Sequence, residues 1–132
     1  MSDPDFTLVG EWDDFLEIDC PNGAEDFTHS ELRWMLRFDL DPYGEPDRYI
    51  GHYVIPADHP AKFNAQVIYG PGRGTLVNVV QGGAPAGDPE YAGYRAVYVG
   101  HKEGQFGNVI DGFFVDASGC KGKWQLKRRS TA

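Results

Sequence analysis

The chain has 132 residues, enough for one domain that buries about two thirds of the surface its unfolded form exposes. Aromatic residues make up 14% of it and glycine occurs 17 times, with no long stretch of helix formers, a balance that favours β structure rich in turns. Against 20 Asp and Glu stand only 12 Lys and Arg, and the formal charge of −8 repels phosphate backbones and anionic lipid heads, which excludes nucleic acid and membrane surfaces as expected partners.

Period-two alternation marks the first strand. Phe6, Leu8, Gly10, Trp12, Leu16, Ile18 and Cys20 fall on one face, and Thr7, Glu11, Asp13, Glu17 and Asp19 on the other. Asp14 is the exception, a carboxylate on the apolar face, either buried for function or turned outward by a β-bulge at the barrel mouth. Pro21-Asn22-Gly23 ends the strand and a polar connection runs to Ser30. The next strand repeats the pattern, with Leu32, Trp34, Leu36, Phe38 and Leu40 facing inward. Beyond the turn from Asp41 to Asp47, further strands are expected over Arg48 to Ile55, Phe63 to Tyr69, Thr75 to Gln81 and Tyr91 to Val99. Gly70 to Gly74 lacks the Gly-Lys-Ser/Thr ending and the following helix of a phosphate cradle, and reads as a hairpin turn.

The last two strands pair in detail, because Asp116-Ala117-Ser118-Gly119-Cys120 suits a three-residue hairpin loop with Gly119 in the left-handed conformation. Phe114 then faces Gly122, Gly112 faces Trp124 and Asp111 faces Gln125. The basic residues Lys121, Lys123, Lys127, Arg128 and Arg129 read as the solvated face of this strand.

A run of short antiparallel strands with short connections either stays an open meander or closes on itself, and closure removes two exposed edges. If the first and last strands lie antiparallel with Cys20 beside Cys120, Leu16 falls near Trp124 and Trp12 near Arg128, and all inward parities agree. The expected fold is therefore all-β, a single antiparallel up-and-down barrel of about eight strands spanning residues 1–132. Gly10-Glu11-Trp12 on the first strand, with Arg128 or Arg129 on the last, resembles the calycins, the group of lipocalins, fatty-acid-binding proteins and avidins. The resemblance implies that the indole closes one barrel end beneath a basic side chain from the last strand, a cation–π contact.

No apolar run approaches the ~18 residues of a membrane span, and the acidic start Met1-Ser2-Asp3-Pro4-Asp5 lacks a basic n-region, so a cytoplasmic setting is expected. A bond between the two cysteines would close a loop of about 100 residues. Their direct cross-strand pairing and a reducing compartment favour two buried thiols instead.

Function is then expected inside the barrel. Asp14, His52 and Tyr53 are the candidate acid–base residues, and Trp34, Asn78, Tyr94, Tyr98, Phe114 and Trp124 the candidate ligand-binding residues. No cofactor and no metal are expected. The leading expectation is a barrel that binds an apolar or aromatic small molecule. A cofactor-independent cyclase or isomerase of natural-product type is the alternative, since positioning needs few special residues. A protein-interaction module ranks third. The strand around Val77 and Val79 is apolar on both faces, which suits a homodimer.

Overall fold

The computed structural model describes residues 6–21, 27–28, 34–44, 47–59, 61–70, 72, 74–82, 95–103, 107–117 and 119–129. Its strands are β1 (Gly10–Asp19), β2 (Phe27–Thr28), β3 (Trp34–Leu40), β4 (Arg48–Ile55), β5 (Lys62–Gly70), β6 (Gly74–Gly82), β7 (Ala96–Glu103), β8 (Val109–Asp116) and β9 (Lys121–Arg128). No helix occurs among the described residues. Strands β3 to β9 pair antiparallel with their sequence neighbours, β1 pairs with β3 on one side and β9 on the other, and the sheet closes as an eight-stranded up-and-down barrel. The two-residue β2 adds to the end of β1 through Glu17↔Thr28 and Ile18↔Phe27.

Alternation of side chains sets what lies inside. Trp12 and Leu16, Leu36 and Phe38, Tyr49 and Tyr53, Phe63 and Val67, Val77 and Val79, Ile110 and Phe114, Trp124 and Leu126 form one buried cluster. Full burial of a large apolar side chain contributes about 1.5–3 kcal/mol, so the fully covered Trp12, Phe38, Leu36, Ile110 and Leu126 make this lumen the main source of stability.

The seam follows the expected register, with Trp12↔Arg128 and Leu16↔Trp124. At this end Trp12 is fully covered, and its Nε1 donates to Leu8 O at 2.9 Å. Arg128 lies with its guanidinium carbon 4.2 Å from the indole centroid and donates to Val9 O at 2.8 Å and to Thr7 O. Gly10 is required here, because its φ is +137° and a Cβ would come within 3.0 Å of Arg128 Nη1. The basic partner of the indole is thus Arg128. Arg129 points outward, 3.5 Å from Asp13 and 3.8 Å from Met35 Sδ.

The β8–β9 hairpin has the expected pairs Gly112↔Trp124 and Phe114↔Gly122, with Gly119 at φ +87°. The glycines make room for more than rings. A Cβ on Gly112 would fall 1.9 Å from Val99 O, and one on Gly122 would fall 1.8 Å from Glu17 O. The neighbouring backbones therefore approach too closely for any other residue.

Three expectations need correction. Cys20 and Cys120 form a disulfide with Cα atoms 4.1 Å apart, because the β1–β9 ladder carries the two residues into direct opposition one step beyond Asp19↔Lys121. Of the strand expected over Tyr91 to Val99, residues 91–94 lie outside the described residues, and the described strand β7 (Ala96–Glu103) runs on beyond Val99, since its pairing with β8 continues through Gly100↔Gly112 to Glu103↔Val109. Phe6 to Val9 precede β1 rather than belong to it, and plug the Trp12 end.

Candidate functional site

The interior carries few buried polar side chains: Asp14, Thr75 and Gln81 among the described residues. Asp14 stays inward because β1 has no bulge there. Its register is continuous, with Asp14 opposite Trp34 on β3 and Leu126 on β9. The irregularity lies instead between Met35 and Leu36 in the β3–β4 pairing. The outward-turned alternative for Asp14 is therefore excluded by the pairing.

Asp14 is 4% exposed, and Tyr53 Oη donates to its Oδ2 across 3.4 Å. The Trp124 indole also hydrogen-bonds to the carboxyl, whereas Oδ1 has no partner among the described residues. Loss of water raises the Asp14 pKa from 3.8 to about 7, and the bonds from Tyr53 and Trp124 only partly oppose that rise. The group is a carboxyl balanced between its neutral and charged forms at neutral pH.

Aromatic rings surround it. Tyr53 meets Trp34 edge to face at 5.1 Å, Phe63 at 5.2 Å and His59 at 4.5 Å. Tyr98 stacks on Phe114 at 5.5 Å, tilts against Trp124 at 5.3 Å, and donates its hydroxyl hydrogen to Gln81 Oε1 at 2.6 Å. Trp34 and His59, 5.5 Å apart, are half-buried and form the rim of this array at the disulfide end of the barrel. His59 Nδ1 accepts from the Ala61 amide at 3.2 Å.

Of the residues singled out in the sequence, Asp14, Tyr53, Trp34, Tyr98, Phe114 and Trp124 converge here. Two do not. His52 is exposed on the outer face between Arg37 and Lys62, because the inward parity of β4 belongs to Tyr49, Gly51 and Tyr53. Asn78 also lies on the outer face, opposite Gln66 and Val99, because Thr75, Val77, Val79 and Gln81 take the inward positions of β6. Tyr94 lies outside the described residues. Sequence reasoning missed Gln81, although it shares the parity of Val77 and Val79. It also missed His59, whose place depends on the path of a connection.

The fold and the site define a closed antiparallel barrel with an aromatic-walled interior holding a buried carboxyl, compatible with the calycin type. Comparison with known proteins gave no significant match, whether to a family model, a curated sequence or a solved structure.

Proposed function

We propose that the chain is a calycin-like binding barrel whose occupant is a small apolar or aromatic molecule, seated against Trp34, Tyr53, Tyr98, Phe114 and Trp124. The observation that carries this reading is Asp14 Oδ1, a buried acceptor without a partner among the described residues, set beside these rings. Apolar walls with one or two directional polar groups are the usual composition of a ligand site. The neutral naphthalene fluorophore prodan tests the reading. Binding is expected at one molecule per chain, lost when Ala96→Phe fills the lumen and kept when Phe113→Ser changes the outer surface. The reverse pattern would refute a lumenal site.

A cofactor-independent cyclase or isomerase is the second reading, and the pKa of about 7 at Asp14 favours it. A carboxyl titrating near the working pH serves equally as acid and base. Asp14 would exchange the proton, Tyr53 would orient it, and His52 takes no part. Turnover of a substrate that survived Asp14→Asn unchanged would eliminate this reading.

Two further settings belong to the proposal. Val80, Val97, Val99, Phe113 and Val115 are exposed on adjoining positions of β6, β7 and β8, which supports a homodimer through this face. A single monomeric species of wild type in sedimentation at high concentration would remove it. The disulfide favours an oxidising compartment over the cytoplasm expected from the acidic N-terminal residues.

A further inference from the structure

The site described above has a sign as well as a shape. Among the described residues the fully buried positions include one acid and no lysine or arginine. The ion pairs of Arg37 with Glu11 and Asp39, and of Arg129 with Asp13, lie on the outer face and leave Asp14 aside. Arg128 is held at the other end by the Trp12 ring and the carbonyls of Thr7 and Val9. Among the described residues the charged form of Asp14 thus has no compensating cation, and its Oδ1 has no donor.

Resting on the binding-barrel reading, we propose that the occupant is an organic cation: a protonated amine on an apolar or aromatic body, whose N–H donates to Asp14 Oδ1 while its charge lies against the rings of Trp34, Tyr53 and Trp124.

Three properties of the site select this chemistry. An amine brings both the donor and the charge that the carboxylate lacks, and a charge-assisted hydrogen bond is about twice as strong as a neutral one. A neutral alcohol supplies only the donor, and an anion is repelled. The rings beside Asp14 meet edge to face, Trp34 with Tyr53 at 5.1 Å and Tyr53 with Phe63 at 5.2 Å, and such an aromatic cluster favours a cation over an anion. The formal charge of −8 attracts cations from solution. The same barrel already seats a cation on an indole at its opposite end, Arg128 over Trp12.

The test uses the full-length oxidised chain in calorimetric titrations at pH 8 with 3-phenylpropylamine, 3-phenylpropan-1-ol and 4-phenylbutyrate, which share one apolar body. The amine should bind at least ~10-fold more tightly than the alcohol, and the butyrate most weakly. In Asp14→Asn the amine should fall to the level of the alcohol, whose own affinity should change less than about twofold. Trp34→Leu, at the half-buried rim, provides a second variant should the first fail to fold, and should weaken the amine more than the alcohol. An alcohol that binds as tightly as the amine in wild type overturns the cation while leaving the binding barrel intact. An amine preference retained in Asp14→Asn overturns the role of Asp14. Failure of all three ligands and of prodan overturns both readings.

Discussion

Replacing Asp14 by asparagine should change how stability depends on pH more than it changes stability at any one pH. The folded-state pKa of Asp14 is about 7 against an ordinary value of 3.8. Between about pH 4 and 7 the folded chain therefore holds a proton that the unfolded chain has released, and stability falls as pH rises through this window. A difference of about 3 pKa units, at about 1.36 kcal/mol each, amounts to about 4 kcal/mol, fully expressed above pH 7 and absent below pH 4. Asparagine keeps an acceptor for the Tyr53 hydroxyl but cannot ionise. Its amide adds a donor without an evident partner, a pH-independent cost of about 1–3 kcal/mol. Urea unfolding of both oxidised proteins, followed by tryptophan fluorescence from pH 4 to 8.5, isolates the effect, because all other carboxylates cancel in the difference. The variant should gain about 4 kcal/mol on wild type between the two ends of that range. Parallel stability curves would show that Asp14 is solvated or compensated in solution, and would refute the reasoning.

Other expectations follow from the same packing. Reduction of the disulfide, or Cys20→Ser with Cys120→Ser, frees a loop of sequence separation 100 and should lower stability by up to about 4.7 kcal/mol, read as a drop in Tm with and without reductant. Gly112→Ala places a methyl group against Val99 O and should cost at least ~1–3 kcal/mol in urea unfolding, whereas alanine at Gly82, where the nearest atom is Lys62 O at 3.8 Å, meets no clash. Tyr98→Phe leaves buried Gln81 without the hydroxyl that donates to its Oε1 and should cost about 1–3 kcal/mol, with little change in near-ultraviolet dichroism of the remaining rings.

Barrel closure was legible in the sequence because inward parity is a strong constraint. With Cys20 beside Cys120, Trp12, Leu16, Trp124 and Arg128 all share the lumen side, and the three-residue loop through Gly119 sets the β8–β9 register, which places glycine opposite a large ring. The site was legible wherever the same constraint acted, as at Asp14, Phe114 and Trp124. It failed where both faces of a strand are equally apolar or equally mixed. In β6 the alternation of Leu76, Asn78 and Val80 with Val77 and Val79 does not say which set is inside. That depends on pairing Gln81 with Phe63 on β5 and Ala96 on β7. In β4, His52 and Tyr53 differ by one position, and only the partners Gly51↔Phe38 and Leu36↔Tyr53 decide which enters the lumen. The proximity of the two cysteines is legible in the sequence but the bond is not, because direct cross-strand pairing and a reducing compartment both argue for free thiols whereas the structure joins them.

A barrel rolled from a meander has one seam without a hairpin, the place where its two ends meet and where it would unroll most easily. In this chain eight residue pairs from Trp12↔Arg128 to Asp19↔Lys121 zip the seam, and the Cys20–Cys120 bond makes it covalent. The bond closes residues 20 to 120 into a covalent ring, with β1 and β9 leading away from it side by side. The β4–β5 ladder ends at His52↔Lys62, so Tyr53 to Ile55 continue past it unpaired with β5, and His59 lies against Tyr53 in the connection beyond. The wall is thus held covalently at its seam, and beside Tyr53 and His59 by ring contacts rather than by a β4–β5 ladder.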